Sequence, residues 1–379
     1  MPMPFAYGQV VEPVHFVNRK SELQSLTTNF VNAQNTIVVA PRRWGKSLLI
    51  DQAIRRVSER QHPPIVARLD LTAIRSEAQF YEAFLRAVLT AAEDSTQRQL
   101  RLAREFLRQL TPKLKFSADP GDEIAFAVDW AEAQPYWTEV LDLPQRIAES
   151  QERPVVVAID EFQQIAEFPG GDFDGVLRSR WQYHTRVCYC LYGSKHHLMS
   201  ELFGSYKRPF YLFGEMLFLD LIDEDEWADY IVDRFERFGK RISLAVALHL
   251  VRAVHSHSHY VQHLAHVTFE RTEKSSPAST ETVDRALDAL VDSLRPLFEQ
   301  LIDGLTQKQL NYLWALADGA TELSSGATVK RYKLGSPSGV AKLKATMRDR
   351  DFTYRVSKGK EGLLDPVFAT WLYQTMPRP

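Results

Sequence analysis

The feature that most constrains this chain is the stretch NTIVVAPRRWGKS, residues 35–47, in which an apolar run leads into a loop ending in Gly-Lys-Ser. The isoleucine and valines predict a buried strand over Thr36–Ala40, and the residues from Lys46 to Val57 predict a helix directly behind the loop. Such a strand-loop-helix unit presents backbone N–H groups and the positive end of a helix to an anion. The stretch therefore predicts a phosphate-binding site within an α/β fold.

The residue types in this loop suit a nucleoside triphosphate. Lys46 would reach the β- and γ-phosphates, the Ser47 hydroxyl would bind Mg²⁺, and Gly45 would let the backbone approach closely because it has no Cβ. Alanine at position 40, where glycine is usual, costs little if its φ is negative. The predicted nucleotide-binding residues of the loop are Ala40, Pro41, Arg42, Arg43, Trp44, Gly45, Lys46, Ser47 and Leu48. The alternative is a chance Gly-Lys-Ser in a turn. The indole of Trp44 is expected only to pack against the sheet edge.

A second apolar run, VVVAIDEFQQI at 155–165, ends in two carboxylates. Open parallel sheets bind ligands at the carboxyl ends of their strands, which is where Asp160 and Glu161 fall. Asp160 is predicted to bind Mg²⁺, and Glu161 to act as the general base toward the water that attacks the γ-phosphate. Alternatively, the pair is the acidic start of a helix. Ser194, after the next apolar run, is predicted either to sense the γ-phosphate or to cap a helix.

The first part of the chain alternates predicted strands and helices, which favours a mostly parallel sheet covered by helices on both faces. Strands are predicted at 36–40, 65–69, 155–160 and 187–193, and helices at 46–57, 80–91, 138–150 and 198–203. A charged helix is predicted over 97–109, and alternation around Asp-Pro-Gly-Asp predicts a hairpin insertion at about 113–130. These patterns predict an α/β domain over residues 1–221.

The patterns change after about Ile222, where strands give way to predicted helices at 224–238, 243–255, 259–271 and 280–303. They predict an all-helical domain over 222–303. The remaining segment, 304–379, combines three short predicted helices with a ribbon formed by FTYRV and LLDP, which is typical of a winged helix.

Length, charge and cysteine content indicate a multidomain protein without a membrane span or a disulfide framework. The 379 residues exceed the usual size of one hydrophobic core, so two or three domains are expected. A formal net charge of −2 gives no global attraction to nucleic acid or anionic membrane, and no apolar run approaches the ~20 residues that span a bilayer. The two cysteines, Cys188 and Cys190, cannot form a disulfide framework. With no signal-peptide pattern at its start, the sequence predicts a cytoplasmic protein.

Together these motifs resemble the archaeal-type ATPases, a group within the STAND (signal-transduction) branch of the AAA+-like P-loop proteins. FAYGQVVEPVHFVNRKSEL (5–23) resembles the family's F-x-x-G opening followed by F-x-N-R-E-x-E-L, and APRRWGKS resembles G-x-R-R-x-G-K-[ST]. DEFQ at 160–163 and Gly-Ser at 193–194 agree as well. The resemblance covers nearly the whole chain.

The resemblance implies a P-loop NTPase fold with a helical lid and a C-terminal winged helix, using ATP and Mg²⁺. It places the adenine beside Phe16, Val17, Asn18 and Arg19. It also implies slow basal hydrolysis and nucleotide-dependent homo-oligomers, which are general properties of STAND proteins.

Three positions depart from the family's pattern. Alanine replaces glycine at position 40. Where relatives often carry P-L-Y-G-R, this chain has RPFYLFGE (208–215), so the arginine that would act on a neighbouring subunit's phosphate is missing; Arg208 is either its substitute or an ordinary surface residue. The G-H-P-like turn that contacts nucleotide in relatives is SHSHY (256–260) here, with Ser258 at the proline position.

The predicted helical domain is rich in histidine, at positions 249, 255, 257, 259, 263 and 266. His259, His263 and His266 would share one helix face by their spacing. That face suits either a zinc site or an ordinary polar surface.

Basic residues are concentrated near the end of the chain, where residues 328–360 carry ten Lys and Arg against two Asp. In the predicted helix 337–350, Val340, Leu343 and Met347 form an inward stripe, which leaves the lysines outside. This arrangement predicts a duplex-DNA footprint made mostly of phosphate contacts, through Lys342, Lys344, Arg348, Arg355 and Lys358. The alternative is a winged helix that binds protein, with solvated lysines.

The sequence therefore predicts an ATP-hydrolysing switch. Lys46, Ser47 and Asp160 would hold Mg·ATP, Glu161 would activate water, and the helical domain would relay nucleotide state to a DNA-binding winged helix. Two alternatives belong to other classes: a nucleotide-stabilised scaffold whose tail binds protein, and a small-molecule P-loop kinase.

Overall fold

The computed structural model of the chain describes residues 3–8, 16–93, 115–117, 125–127, 137–357 and 360–379. The charged helix predicted over 97–109 lies outside these residues. The chain divides into two compact units. The first unit contains residues 20–42 and 49–219, and the second contains residues 1–19, 43–48 and 220–379.

The first unit is an α/β unit built on a five-stranded sheet. Its helices are α1 (Lys20–Val31), α2 (Lys46–Ser58, from Leu49 onward), α3 (Glu77–Glu93), α4 (Trp137–Val140), α5 (Leu143–Gln151), α6 (Phe173–Trp181) and α7 (His196–Gly204). Its strands are β1 (Thr36–Val39), β2 (Ile65–Asp70), β3 (Lys115–Ser117), β4 (Ala125–Ala127), β5 (Val155–Asp160), β6 (Val187–Gly193) and β7 (Glu215–Phe218).

The main sheet has the strand order β2-β5-β6-β1-β7, and each neighbouring pair is parallel. The predicted parallel α/β fold is thereby confirmed. Strands β1, β5 and β6 are almost entirely buried, as expected for a sheet covered on both faces. Their order brings the carboxyl ends of β5 and β6 next to each other, with β1 on the far side of β6.

Two features of this unit differ from the sequence prediction. Strand β7 pairs with β1 at the sheet edge although no strand was predicted there. Its four residues, EMLF, are only partly buried or exposed, unlike those of the central strands. The predicted helix 138–150 is divided into α4 and α5, with Pro144 in the first turn of α5, where its missing N–H costs nothing. At the predicted hairpin, β3 and β4 pair antiparallel with Phe116 opposite Phe126.

The second unit is helical, with a two-stranded ribbon near its end. Its helices are α8 (Glu224–Arg237), α9 (Leu244–Ala253), α10 (Ser258–Arg271), α11 (Thr280–Asp303), α12 (Gln307–Ala317), α13 (Gly326–Arg331), α14 (Pro337–Asp349) and α15 (Pro366–Thr375). The ribbon consists of the antiparallel strands β8 (Thr353–Ser357) and β9 (Lys360–Leu363). Helix α15 was not predicted; Asp365 caps it by accepting hydrogen bonds from the N–H groups of Val367 and Phe368, both at 3.0 Å.

The helical and winged-helix segments share one hydrophobic core, although the sequence predicted a domain boundary at 303/304. The 24-residue helix α11 ends at Asp303, directly before that boundary, and its last part packs into the shared core. Phe298, on the last part of that helix, packs against Phe368 and Trp371 of α15 at ring-centroid distances of 5.4 and 5.6 Å. Burying each aromatic side chain contributes about 2–3 kcal/mol, so the two segments stabilise each other.

The first residues of the chain also pack in the second unit, rather than in the α/β domain predicted over 1–221. Phe5 is completely buried and lies 5.8 Å from the ring of Phe235. The Arg234 guanidinium donates a hydrogen bond to the Pro4 carbonyl at 2.7 Å. Across the described ranges of the chain, no helix has both the length and the apolarity needed to cross a membrane.

Candidate nucleotide-binding site

The loop between β1 and α2 has the backbone that its sequence requires. Ala40 is completely buried and is not in the left-handed region, so the missing glycine causes no backbone strain there. Gly45 has a φ of +88°, and a Cβ at this position would meet no atom within 4 Å. Glycine is therefore needed at position 45 for backbone conformation and not for space.

The two adjacent arginines of the loop have different partners. Within the first unit, Arg42 donates a hydrogen bond from Nε to the Ser194 hydroxyl at 3.3 Å. Arg43 has a φ of +66° and belongs to the second unit, where its charge acts on Tyr260 and Asp365. Arg43 is itself the left-handed residue, and the two arginines contact residues in different units.

The carboxylate of Glu161 is held at the ends of two adjacent strands. It follows β5, and its Oε2 accepts hydrogen bonds from the Ser194 hydroxyl after β6, at 2.9 Å, and from the Gln163 amide nitrogen. The Glu161 N–H donates to Asp160 Oδ1 at 2.8 Å. The structure therefore brings together three predicted site residues, Asp160, Glu161 and Ser194.

The two helix-start alternatives have different outcomes: a helix does begin directly after Glu161, whereas Ser194 does not cap the helix that follows it. Glu161 has a left-handed φ of 51° and precedes a 3₁₀ helix (Phe162–Glu167) without forming a side-chain cap. Helix α7 begins after Lys195, and the hydroxyl of Ser194 donates to Glu161 instead of accepting from the helix. Gln163 also contacts Glu161 and was not among the predicted site residues; its only signal in the sequence is its place in DEFQ.

The segment predicted to lie beside the adenine contacts the backbone of the phosphate-loop sequence through Arg19. Arg19 is 5% exposed, and its Nη2 donates hydrogen bonds to the carbonyls of Trp44, at 3.1 Å, and Asp220, at 2.8 Å. Asn18 and Arg19 have positive φ values of 46° and 59°, and Val17 is buried in the core of the second unit. Phe16 is half-buried.

Arg43 lies beside a buried tyrosine-carboxylate pair. The Tyr260 hydroxyl donates a hydrogen bond to Asp365, the residue that caps α15. Burial raises the pKa of Asp365, whereas its hydrogen bonds and the Arg43 charge oppose that rise. The phosphate-loop sequence is thus connected, through Tyr260 and Asp365, to the last helix of the winged-helix segment.

The histidines of α10 pack against aromatic rings and do not form a metal cluster. Tyr7 stacks on His263 with ring centroids 3.9 Å apart. Burial lowers the pKa of His257 to about 3 and the pKa values of His259 and His263 to about 4. In the part of the chain that the structure describes, no three His, Cys, Asp or Glu side chains come together to hold a metal ion.

Two of the five predicted DNA-binding cations are paired with a buried carboxylate. Glu361 has a fully buried side chain; Arg348 donates to it from Nε at 2.9 Å, and Lys344 Nζ lies 3.1 Å away. Glu361 lies one residue beyond the basic stretch 328–360, so its charge was not set against the lysines and arginines of that stretch. Val340 and Met347 are buried and Leu343 is partly buried, as predicted, while Lys342 and Arg355 are exposed. Lys358 lies outside the described residues.

The candidate finger residue Arg208 is also paired. Its guanidinium lies 2.6 Å from Glu201 and 3.8 Å from Asp174. These ion pairs are those of an ordinary surface arginine within the first unit.

Comparison of the fold with solved structures gives a consistent match. A Walker-type ATPase of Pyrococcus abyssi superposes with a TM-score of 0.66 at 15% identity, covering 98% of this chain and 100% of the other. This chain has the fold of a P-loop ATPase. The ORC2 protein of Aeropyrum pernix, in its ADPNP-ADP complexes, gives a TM-score of 0.57 at 14% identity, covering 98% of this chain and 96% of the other.

The sequence comparisons support the C-terminal part of this P-loop ATPase fold. Residues 296–374 match the family described as a probable winged helix domain, and the match begins inside α11, in agreement with the shared core. No curated protein matches the chain significantly.

Proposed function

We propose that this chain is an ATP-hydrolysing switch of the STAND type whose nucleotide state acts on its winged helix. Lys46 and the backbone N–H groups of the loop bind the triphosphate, and Glu161 accepts the proton of the water that attacks the γ-phosphorus. The bond to the β-γ bridging oxygen breaks, and the products are ADP and inorganic phosphate. Ser194 senses the γ-phosphate through its hydrogen bond to Glu161.

The observation that carries the proposal is the contact between Ser194 and Glu161 at the carboxyl ends of β6 and β5. Ligands of open α/β sheets bind at this edge. A glutamate fixed by a neighbouring strand is suited to orient one water molecule, and general-base catalysis typically contributes 10²- to 10⁴-fold to a rate. A small-molecule kinase would need no such residue.

The residues also fit a magnesium ion. Mg²⁺ prefers hard oxygen ligands, and the exposed residue Ser47 and the carboxylate of Asp160 would each supply one. When bound, the ion would neutralise charge on the β- and γ-phosphates. Asp160 already accepts the Glu161 N–H with one carboxylate oxygen, which orients its side chain.

We propose that the winged helix binds duplex DNA through exposed cations such as Lys342 and Arg355. Contacts of this kind are made mainly to phosphates and show little base preference. One observation favours the alternative of a protein partner: Glu361 neutralises Lys344 and Arg348, which reduces the positive charge available for DNA.

The ATPase proposal is tested by phosphate release from ATP in the absence of any acceptor, with Lys46→Ala and Glu161→Gln compared with the parent. We expect Lys46→Ala to lose ATP binding, and Glu161→Gln to bind ATP but to hydrolyse it at least 100-fold more slowly. Unchanged ATP affinity in the first variant, or unchanged turnover in the second, would refute the proposed site. Release that requires an added acceptor would identify a kinase.

The DNA proposal is tested by titrating a duplex at several salt concentrations. Phosphate contacts release counterions, so the logarithm of the binding constant must fall steeply with the logarithm of salt. Absence of duplex binding even at low salt would favour the alternative in which the winged helix binds protein.

The nucleotide-dependent oligomers that the family resemblance implies are tested by measuring the mass of the protein in solution with and without ATP.

A further inference from the structure

The residue two positions after Glu161 is a buried amide that contacts the proposed catalytic carboxylate. Gln163 is completely buried in the 3₁₀ helix that follows β5. Its Nε2 donates a hydrogen bond to Glu161 Oε2, the same oxygen that accepts the Ser194 hydroxyl. Two donors from different elements therefore converge on one carboxylate oxygen.

Gly193, at the end of strand β6, leaves space for the Gln163 amide because it has no Cβ. A Cβ on Gly193 would lie 1.9 Å from Gln163 Oε1, which is far inside van der Waals contact. Gly193 has an ordinary strand backbone, so glycine is needed there for space and not for φ. Gln163 Oε1 has no hydrogen-bond partner in the described residues. The amide is thus held in a position that satisfies Glu161 and leaves its own oxygen unsatisfied.

The backbone of Glu161 explains why its side chain needs this support. Its φ of 51° lies in the left-handed region, which a non-glycine residue adopts at a cost in free energy. Strained residues persist where surrounding contacts determine them, and Gln163 and Ser194 supply such contacts. Of the two, only Gln163 is completely enclosed by the protein.

We propose that Gln163 is a positioning residue for ATP hydrolysis, and that Gly193 is the small residue that admits it. Gln163 holds one oxygen of Glu161 so that the carboxylate is aimed for proton abstraction. The proposal rests on the proposed role of Glu161 as general base. It concerns the rate of hydrolysis and not the affinity for ATP.

The first test measures kcat and the Kd for ATP in Gln163→Ala. A hydrogen bond to a charged group is lost, so kcat should fall about tenfold or more while the Kd stays unchanged. The matched control is Gln164→Ala, which removes an amide from the same 3₁₀ helix and should leave both quantities at the parental values. Thermal melting of both variants shows whether they are folded.

The second test uses Gln163→Glu, which keeps the shape of the side chain and replaces its amide with an ionisable carboxyl group. While the new carboxyl is protonated it can donate to Glu161, and kcat should remain near the parental value. As pH rises through the higher pKa of the carboxyl pair, the donor is lost and two like charges face each other. The kcat profile should then acquire an alkaline decline that the parent lacks, whereas a residue that only fills space would give the parental profile.

The third test is a double-mutant cycle with Gly193→Ala. Alone, this change should displace the amide and lower kcat about as much as Gln163→Ala does. Combined with Gln163→Ala it should cause little further loss, because the amide that it would overlap is gone.

These outcomes separate the two proposals. If the parent hydrolyses ATP and Glu161→Gln abolishes it, while Gln163→Ala keeps parental kcat or Gln163→Glu keeps the parental pH profile, the positioning role is wrong and the ATPase function stands. If the parent does not hydrolyse ATP, or if Glu161→Gln leaves turnover unchanged, both proposals fail.

Discussion

Trp44 of the phosphate-loop sequence packs edge-on against Tyr354 of strand β8, with ring centroids 5.4 Å apart and an angle of 79° between the planes. The sequence suggested packing against the sheet edge for this tryptophan. Instead, it is 6% exposed in the second unit, where it lines a cavity of about 210 Å³ together with His257, Leu364 and Pro366. The aromatic contact ties the loop sequence to the ribbon of the winged helix.

We therefore expect Trp44→Ala to destabilise the second unit by about 3–5 kcal/mol, through lost burial and the cavity left behind. In a double-mutant cycle with Tyr354→Ala, the coupling energy should be about 1 kcal/mol, as for other edge-to-face pairs. Urea unfolding measures both. Tyr183→Ala is the control, because that ring is 75% exposed and its removal should change little. Strictly additive effects would contradict the contact.

Gly45→Ala tests the backbone of the loop. Gly45 and Gly239 have φ values of +88° and +75°, and a Cβ at either site meets nothing within 4 Å. Both Gly→Ala variants should therefore lose about 1–2 kcal/mol from strain alone. Only Gly45→Ala should also weaken ATP binding, measured by equilibrium dialysis. Equal ATP affinity in the two variants would argue against a phosphate-binding role for the loop.

Ser194→Ala tests the contact between β5 and β6. Removing the hydroxyl that donates to Glu161 should lower kcat about tenfold while the Kd for ATP changes little. Arg42→Ala removes the group that donates to the same hydroxyl and leaves the bond from Ser194 to Glu161 in place. Arg42→Ala should therefore lower kcat less than Ser194→Ala does. A larger loss in Arg42→Ala would mean that Arg42 itself binds phosphate.

The exposed and the paired cations of the winged helix should behave differently on substitution. Lys342→Ala should weaken duplex binding at low salt and reduce the salt slope by about one, with no effect on stability. Arg348→Ala should chiefly destabilise the winged helix, by about 3–5 kcal/mol, because it leaves the buried Glu361 carboxylate with one partner fewer. Fluorescence anisotropy and thermal melting measure the two effects. Equal losses of DNA binding without destabilisation would contradict the pairing.

The buried histidines predict an acid-sensitive second unit. Burial, together with the neighbouring His259 and the charge of Arg43, lowers the pKa of His257 to about 3, whereas an exposed histidine titrates near 6.5. Below pH 6.5 the unfolded chain binds protons that the folded chain does not, so stability is lost as pH falls from about 6.5 toward 3. His257→Gln should reduce that loss in urea unfolding, and His62→Gln, at an exposed position, should not.

The sequence was sufficient for the parts of this protein that are set by local patterns. The runs at 36–39, 155–160 and 187–193 are apolar on both faces, so they can only be stable between two layers of helices, and they form adjacent parallel strands. The phosphate-loop sequence and the Asp-Glu pair follow directly from these runs. Helices α8, α10 and α11 begin and end within one residue of the predicted limits, because their apolar periodicity is long and regular.

Long-range packing decided the rest. Glu361 could not be assigned to Lys344 and Arg348 from the sequence, since a charge count does not tell which carboxylates turn inward. Likewise, the shared core of the helical and winged-helix segments depends on where the end of α11 meets α15. The contacts of Gln163 with Glu161 and of Trp44 with Tyr354 arise only when residues from separate elements meet. Local sequence thus determined the strands and the loop that can bind a nucleotide, and only tertiary structure decided which side chains surround them, because burial and pairing depend on neighbours that are remote along the chain.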